Sequence, residues 1–403
     1  GPRPMTDLVV SDLHQVQEAV RDATADQKRL EVRAAGTKRH LGRIASYDAI
    51  LDVSAMAGIV DYQPEELVFT LRAGTPMNVV ETARADARQM LPFEPPSMTR
   101  LLGEAKPGVR GTIGGVIAAN LSGPRRLTAG AARDFLLGFE AVSGRAELFK
   151  SGGKVMKNVT GYDLSKLMCG SFGTLGVMDE ITLKTLPAPE TSCSLLVGSE
   201  SLAAATEQIA SIFATPHEPG AAAILPRDVA AGEGVDLGAA FTIVIRLEGI
   251  EASVNDRIGH LVAITDGERL PEKKSVPLWR RVRDVQPLAE KPCDIWKVSC
   301  APSDAAKVIA AIDPRLEYRF MADWAGGLVW IAGSSPRIGP ALRKAVATLQ
   351  SGFAMLVRDV SVTREKVAPF QPLDGARQEL HKRVKSSFDP LGVLNYERMH
   401  EGV

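Results

Sequence analysis

A loop with an almost bare backbone follows a short apolar segment near the start of the sequence. Ala34, Ala35 and Gly36 carry little or no side chain, and the Thr37 hydroxyl and Lys38 ammonium come directly after them. A loop that binds a diphosphate must bring several backbone N–H groups close to the phosphate oxygens, which small side chains permit. The loop is therefore a candidate for diphosphate binding, with an ordinary strand-to-loop turn as the alternative interpretation.

A second candidate segment, residues 112–134, is rich in glycine and other small residues and has few strong helix formers. Glycine loses more backbone entropy on folding than any other residue, so such a segment is costly to order. A flat ring system or phosphates lying against the backbone would offset that cost; packing against a neighbouring strand is the other interpretation. The residues singled out here are Thr112, Gly114, Gly115, Asn120, Ser122, Gly123, Gly130 and Asp134.

The third candidate segment covers residues 152–177, and its end contains Gly173, Thr174, Gly176 and Val177. Taken in order along the chain, the three segments resemble the FAD-binding domain of the vanillyl-alcohol-oxidase (PCMH) type. A tail over residues 380–395 is similar to the closing element of the same family. The resemblance implies an α+β fold: an FAD-binding domain of two α+β subdomains with FAD between them, and a smaller α+β cap domain.

The resemblance also implies how FAD is held. Ala34–Lys38 would bind the pyrophosphate, the glycines and polar residues of 112–134 would line the flavin and ribityl side, and residues 173–177 would meet the adenine end. Asn395 of the tail completes the implied set. No histidine lies in the segments where family members attach the flavin covalently, so non-covalent FAD is expected.

More narrowly, four segments resemble the E-subunit family of bacterial glycolate oxidase (glycolate dehydrogenase): Ser122–Arg126, Arg133–Gly138, Val155–Asn158 and Asp323–Trp330. This implies oxidation of glycolate, or a similarly small 2-hydroxy acid, to glyoxylate, beside a second flavin subunit and an iron–sulfur subunit that takes the electrons. The alternative is a non-catalytic, flavin-bearing or scaffolding subunit that supports a catalytic sister. A third class, a cell-wall precursor reductase of the same fold, would require an NADPH-dependent reaction.

Oxidation of a 2-hydroxy acid needs a base for the hydroxyl proton and a cation for the carboxylate. His381, on a predicted tail helix, is a candidate base, and an ordinary surface histidine is the alternative. Arg283 lies in a segment similar to one whose arginine holds a substrate carboxylate in relatives; the alternative is a helical patch of solvated charges. The six histidines lack ligand spacing and no CxxC occurs, so no metal site is expected.

Hydrophobic periodicity predicts the elements that position these residues. Pro187-Ala188-Pro189 predicts a domain boundary, giving an FAD-binding domain over 5–188, a cap over 190–365 and a C-terminal segment over 366–403 that returns to the first domain. The predicted helices are 12–23, 77–87, 201–213, 253–263, 303–312, 338–349 and 376–386. The predicted strands are 30–34, 50–53, 67–71, 177–186, 194–197, 241–247, 295–300 and 327–331.

Composition excludes several classes of protein. The 403 residues contain 48 Lys plus Arg and 48 Asp plus Glu, so the formal net charge is zero, which disfavours a nucleic-acid partner. No run approaches the ~20 apolar residues of a membrane helix, and no charged-then-apolar leader precedes the first helix. We therefore expect a soluble protein without direct membrane insertion, cytoplasmic or peripheral to the inner membrane through partner subunits.

Overall fold

The computed structural model describes residues 6–103, 108–152, 163–360 and 367–403, which divide into two compact units. The first unit comprises Gly1–Ser122, Ala131–Pro187 and Pro372–Val403; the second comprises Gly123–Gly130 and Ala188–Gln371. The break after residue 187 falls at the proline pair that predicts a boundary. Most of the third candidate segment's first half, residues 153–162, lies outside the described residues.

The described chain mixes strands and helices. The strands are β1 (Thr6–Val9), β2 (Leu30–Arg33), β3 (Ala49–Asp52), β4 (Ile59–Gln63), β5 (Val68–Leu71), β6 (Gln89–Met90), β7 (Leu136–Ser143), β8 (Leu148–Gly152), β9 (Gly176–Lys184), β10 (Leu186–Pro187), β11 (Thr191–Ser199), β12 (Ala221–Pro226), β13 (Phe241–Gly249), β14 (Glu268–Leu270), β15 (Ile295–Cys300), β16 (Arg319–Asp323), β17 (Leu328–Ala332) and β18 (Gly352–Arg358).

The helices are α1 (Leu13–Ala25), α2 (Met77–Asp86), α3 (Thr99–Leu102), α4 (Ile113–Ala118), α5 (Arg126–Ala129), α6 (Ala132–Phe135), α7 (Leu164–Met168), α8 (Leu202–Phe213), α9 (Arg227–Gly232), α10 (Glu251–Thr265), α11 (Glu272–Arg283), α12 (Gln286–Ala289), α13 (Ala305–Ala310), α14 (Ile338–Ala347) and α15 (Gly375–Phe388). None of the helices in the described ranges combines the length and apolar character needed to cross a bilayer.

The first unit contains two sheets. Three strands pair in parallel in the order β1-β3-β2, and the apolar face of α1 packs with them because Val16, Val20 and Ala23 recur at helical spacing. The second sheet is antiparallel in the order β4-β5-β9-β7-β8. The loop after β2 and the start of β9 are thus supplied by different sheets of the same unit.

The glycine-rich second segment contains a helix, α4, although it has few strong helix formers. The Thr112 side chain caps α4 by accepting a hydrogen bond from the Gly115 N–H (3.3 Å). The Gly114 N–H donates to the Ala73 carbonyl (2.8 Å), and a Cβ at Gly114 would lie 2.8 Å from the Ala73 Cβ. Glycine is therefore required there by close backbone approach, and tertiary contact outweighs low helix propensity.

The chain end returns to the first unit. Leu394 forms a parallel bridge with Leu30 at the start of β2, and the Lys385 ammonium of α15 is buried. This ammonium donates to Asp389 Oδ2 (2.7 Å), to the Thr174 carbonyl (2.6 Å) and to the Leu394 carbonyl (2.8 Å). One buried cation thus holds the tail to the loop that leads into β9.

The second unit is built on an eight-stranded antiparallel sheet, in the order β14-β11-β13-β12-β16-β17-β15-β18. One face of the sheet is covered by α8, α10, α13 and α14, and its apolar cluster includes Ile224, Ile245, Trp296 and Val329. Because side chains alternate along a strand, Lys297 and its cross-strand neighbour Trp330 lie on the opposite face.

Candidate functional site

A cleft in the first unit brings together segments that are far apart in sequence. Residues 31–39, 111–119 and 172–178 meet there, and the tail adds Asn395 and Arg398. The cleft encloses about 870 Å³, part of it open to solvent. The predicted site residues that line it are Ala34, Ala35, Gly36, Thr37, Lys38, Thr112, Gly114, Gly115, Gly173, Gly176, Val177 and Asn395.

Lys38 lies where residues 31–39 and 111–119 meet. A Cβ at Gly111 would lie 2.9 Å from Lys38 Nζ, and one at Gly115 would lie 3.1 Å from it, so both glycines make room for the ammonium. Lys38 Nζ donates one long hydrogen bond, 3.3 Å, to Thr37 Oγ1. Burial lowers the pKa of Lys38 to about 8. Among the described residues, this half-buried ammonium has only the one hydrogen bond, which favours an anion beside it and fits a dinucleotide's pyrophosphate.

Gly36 gives the loop after β2 its turn. It adopts φ 72°, a left-handed conformation that L side chains rarely take, and a Cβ there would lie 3.5 Å from Arg33 Cδ in ordinary contact. The requirement for glycine at this position therefore comes from backbone conformation within the protein rather than from crowding.

Asn395 connects three parts of the cleft wall. Its Oδ1 accepts from the Val32 N–H (2.8 Å), and its Nδ2 donates to the Phe172 carbonyl (2.8 Å). A Cβ at Gly173 would lie 2.7 Å from Asn395 Nδ2, so glycine is required for this contact. The tail therefore fixes the end of β2 relative to the loop before β9.

The cleft wall carries a second set of charges. The Arg398 side chain donates to the Lys38 carbonyl (2.5 Å) and the Leu41 carbonyl (2.9 Å), and burial lowers its pKa. Glu31 pairs with Arg33 (2.7 Å) and Arg39 (3.0 Å). Burial alone would raise the pKa of Glu31, but the two guanidinium groups hold it below its usual value. Lys38 and three arginines against one carboxylate leave the wall with an excess of positive charge.

Other predicted FAD contacts lie outside the cleft lining. Ser122 Oγ accepts from the Ala132 N–H (3.0 Å) and Asp134 Oδ2 from the Ala131 N–H (2.8 Å), so both side chains hold the start of α6. Asn120 Oδ1 accepts from the Arg133 N–H (3.3 Å), and Thr174 Oγ1 donates to the Ser171 carbonyl (2.7 Å). Each of these side chains already has a partner in the chain, and their contact with FAD stays a prediction.

Gly123 and Gly130 belong to the second unit, at the two ends of its first segment. The Gly123 carbonyl accepts a hydrogen bond from the indole N–H of Trp324 (3.0 Å), and Gly130 adopts φ 108°. Their predicted role at the cofactor likewise stays a prediction.

Neither of the two candidate catalytic residues is among the residues that line the cleft. The Arg283 guanidinium, at the end of α11 in the second unit, donates to both carboxylate oxygens of its neighbour Asp284 (2.8 and 3.0 Å). The rings of His381 on α15 and His400 make an edge contact, with their centroids 5.3 Å apart. Burial lowers the pKa of both imidazoles, that of His400 to about 4. Within the described residues, no group of three or more His, Cys, Asp or Glu side chains could hold a metal ion.

The sequence interpretation missed Gly111 and Arg398. Gly111, with φ 86°, precedes the predicted segment by one residue, and nothing in the sequence distinguishes it from the neighbouring glycines. Arg398 lies three residues after Asn395 in the tail, and only the path of the tail brings it to the Lys38 carbonyl.

Comparison with known proteins identifies the cofactor and the fold. The family described as "FAD binding domain" matches residues 7–152, which confirms the predicted cofactor, FAD. The solved structure of p-cresol methylhydroxylase with substrate bound matches with a TM-score of 0.70 over 98% of this chain and 88% of that chain. At 15% identity this likeness shows the fold, and it confirms the predicted α+β fold class of the PCMH type.

The relatives that match in sequence include two subunits of glycolate oxidases. The glycolate oxidase subunit GlcD of Bacillus subtilis (strain 168) is 42% identical over 108 residues, 27% of this chain and 23% of that protein. The glycolate oxidase subunit GlcE of Escherichia coli (strain K12) is 34% identical over 388 residues, 95% of this chain and 96% of that protein. Identity at this level over nearly the full length of both chains shows that this chain belongs to the family of FAD-binding oxidoreductases that contains GlcE.

Proposed function

We propose that this chain is the FAD-bearing subunit of a complex that oxidises glycolate, or a similarly small 2-hydroxy acid, to the corresponding 2-oxo acid. The match to GlcE over nearly both full lengths carries the proposal, because that protein is named as a subunit of a glycolate oxidase. In the proposed complex a second flavin subunit lies beside this chain. An iron–sulfur subunit accepts the electrons, since no CxxC motif in this sequence provides a cluster of its own.

The proposed FAD site is the cleft of the first unit. Lys38 and the bare backbone of Ala34–Gly36 would hold the pyrophosphate, and Gly114 and Gly115 would line the flavin side with their backbone. Among the described residues that line this cleft there is no His, Cys or Tyr, which supports non-covalent binding. Acid denaturation of the FAD-loaded protein should therefore release all the flavin into the supernatant; flavin that stays with the precipitated chain would contradict this assignment.

Bound FAD supplies a two-electron acceptor for the hydride that leaves C2 of the hydroxy acid. The protein must then hold the substrate carboxylate and accept the hydroxyl proton. Lowering of the His381 pKa by burial keeps this imidazole neutral at pH 7, the form that can accept a proton. His381 and Arg283 remain the proposed base and carboxylate anchor, although neither lines the described cleft.

The pairing of Arg283 with Asp284 favours a second function. Its guanidinium is engaged by both oxygens of Asp284, and a cation already paired in this way binds a substrate carboxylate less strongly. This observation favours a non-catalytic, flavin-bearing subunit that supports a catalytic sister.

Anaerobic addition of glycolate to the purified, FAD-loaded chain separates the two functions. If this chain is catalytic, the visible absorption of its oxidised flavin should bleach within minutes, and glyoxylate should form in equal amount. If the flavin stays oxidised for hours alone and bleaches only after the partner flavin subunit is added, the supporting role is correct. Lys38→Met protein, at an FAD concentration that loads the wild type but not this variant, controls for reduction that does not depend on the site.

A further inference from the structure

Asn120, at the end of α4, has a side-chain amide whose orientation is fixed by two donors. Its Oδ1 accepts from the Arg133 N–H (3.3 Å) and from the Cys169 thiol (3.4 Å). A backbone N–H can only donate, so the amide atom that faces Arg133 is the oxygen and not the nitrogen. For the Asn120 Nδ2 there is no acceptor among the residues that the structure describes. The chain therefore holds this amide through its oxygen and leaves two N–H donors available to a ligand.

Asn120 directly follows two residues of the cleft lining, Ala118 and Ala119. It adopts φ 48°, a left-handed conformation that asparagine tolerates better than most other residues with a side chain. Its N–H donates to the Ile117 carbonyl (3.0 Å), which closes the turn at the end of α4. The half-buried amide is thus carried by a turn of defined conformation next to the residues that line the cleft.

Cys169 begins the loop that forms another part of the cleft wall. In that loop the Phe172 N–H donates to the Ala118 carbonyl (2.9 Å), and both residues line the cleft. A Cβ at Gly170 would lie 3.3 Å from the Asn120 Cβ, so glycine permits the close approach of the loop to the end of α4. The hydrogen bond between the Cys169 thiol and Asn120 therefore joins two segments that line the same cleft.

The Cys169 thiol is buried, with 6% of the residue exposed. Burial raises the pKa of this thiol to about 12, although the charge of Arg133 opposes the shift. The sulfur therefore stays protonated at neutral pH, which makes it a hydrogen-bond donor rather than a nucleophile. Serine in its place would keep one donor, whereas alanine would leave the Asn120 Oδ1 with the Arg133 N–H alone.

We propose that Cys169 is a positioning residue, which holds the Asn120 amide so that its Nδ2 donates a hydrogen bond to bound FAD. FAD offers carbonyl and hydroxyl oxygens as acceptors. A donor that the protein already holds in place loses little conformational freedom when the ligand binds, so it contributes more to affinity than a mobile side chain does. The proposal rests on the proposed FAD site for its ligand; the orientation of the amide rests on the hydrogen bonds of the chain itself.

The test measures the FAD affinity of the full-length apoprotein by fluorescence titration. Cys169→Ala should weaken FAD binding about three- to tenfold, the effect of one hydrogen bond, and Asn120→Ala should weaken it at least as much. Cys169→Ser, which keeps a donor, should bind FAD within about twofold of the wild type. Cys193→Ala is the matched control, because it removes a buried thiol of β11 in the second unit, and its FAD affinity should be unchanged.

The double variant Cys169→Ala/Asn120→Ala gives a readout that a purely structural thiol would not give. It should bind FAD no more weakly than Asn120→Ala alone, because the thiol acts through the amide. Asn120→Asp keeps an oxygen for both donors but has no Nδ2, so it should lose FAD affinity while the fold is retained.

Four results would each overturn the proposal: wild-type affinity in Cys169→Ala, an equal loss in Cys169→Ser and Cys169→Ala, additive losses in the double variant, or wild-type affinity in Asn120→Asp. Lys38→Met, titrated in parallel, tests the FAD site separately. Affinity that depends on Lys38 but not on Asn120 refutes the positioning role and leaves the FAD site standing. A wild-type apoprotein that binds no FAD overturns the site and the positioning role together.

Discussion

The Lys38 ammonium is the group on which the proposed pyrophosphate site depends most. A cation held against the backbone at Gly111 and Gly115 can approach a pyrophosphate directly, and a charge-assisted hydrogen bond contributes about 1.5–3 kcal/mol. Lys38→Met should therefore weaken FAD binding at pH 7 about ten- to a hundredfold. Fluorescence titration of the apoprotein with FAD measures this, and Lys166→Met, on the exposed side of α7, should leave the affinity unchanged.

The lowered pKa of Lys38 also sets a pH dependence. The ammonium loses its proton as the pH rises through about 8, so the free protein then presents a neutral amine to the pyrophosphate. The FAD dissociation constant of the wild type should rise between pH 7 and pH 9.5, while that of Lys38→Met should stay nearly flat over this range. Equal slopes in the two proteins would show that another group controls binding.

A substitution at Gly36 tests whether the loop after β2 binds the pyrophosphate. Val at this position would have to adopt φ near 72°, which costs about 1–2 kcal/mol, and its side chain would enter the cleft lining. Gly103→Val is the matched control, because Gly103 has φ 73° and open space around its Cβ position. Both variants should lose similar unfolding free energy, but only Gly36→Val should lose its flavin absorption. Equal flavin content in the two purified proteins would argue against the pyrophosphate assignment.

At the residue scale, sequence reasoning located the bare loop because small side chains and positive φ leave a local signal. Ala34, Gly36 and Lys38 line the cleft, and their contact with a pyrophosphate stays a prediction. The contacts of Arg398, Ser122 and Asp134 leave no such signal in the sequence. The Arg398 contact depends on where the distant tail lies, and the contacts of Ser122 and Asp134 depend on where α6 begins in the folded chain.

Among the elements, α15 stabilises the first unit through a buried ion pair. Lys385 and Asp389 are buried, and Asp389 also accepts from the Val393 and Leu394 N–H groups (2.9 and 2.8 Å). Removing one partner of such a pair leaves an uncompensated charge and costs about 3–5 kcal/mol. Lys385→Met should lower the free energy of unfolding in urea by about this amount, and it should weaken FAD binding because the tail carries Asn395 to the cleft.

Lys382 provides the control for that prediction, since it lies on the same helix and is exposed. Lys382→Met should change the unfolding free energy by less than about 0.5 kcal/mol. The double variant Lys385→Met/Asp389→Asn should be closer to the wild type than the sum of the single variants implies. Strict additivity would show that the two side chains do not stabilise the tail as a pair.

Element prediction succeeded where hydrophobic periodicity is strong and failed where it is diluted. The predicted helix at 77–87 corresponds to α2 (Met77–Asp86), and the strand at 295–300 matches β15. The strand β12 was missed because Ala221, Ala222 and Ala223 do not suggest a strand, although all three are fully buried. The helix α4 was missed because its glycines have low helix propensity. The close approach of Gly114 to Ala73 requires glycine there and outweighs that propensity.

For the whole molecule, the fold class and the cofactor followed from three motifs and their order along the chain. The assignment of residues 123–130 to the second unit did not, because nothing in composition separates them from their neighbours. A short segment that belongs to a unit other than that of its flanking residues becomes visible only through its contacts, such as those of Arg125 with Glu248.

Cofactor binding should change the dynamics of the molecule unevenly. FAD binds the folded protein and adds about 2.7 kcal/mol at a hundredfold excess over its dissociation constant. In hydrogen exchange measured by mass spectrometry, peptides covering residues 33–39, 111–119 and 170–177 should exchange more slowly with FAD. Peptides from α8 and α10, which pack on the eight-stranded sheet of the second unit, should not change. Uniform slowing across all peptides would contradict the assigned location.

The tail contacts have a consequence for biosynthesis. Asn395 and Arg398 are translated more than two hundred residues after the bare loop at 34–38 and the other cleft segments. A chain emerging from the ribosome therefore exposes an incomplete nucleotide cradle for most of its synthesis, and the last wall arrives only when the tail has been made. We expect flavin to be captured after translation of this region rather than during it, so ribosome-stalled chains ending before residue 389 should emerge colourless.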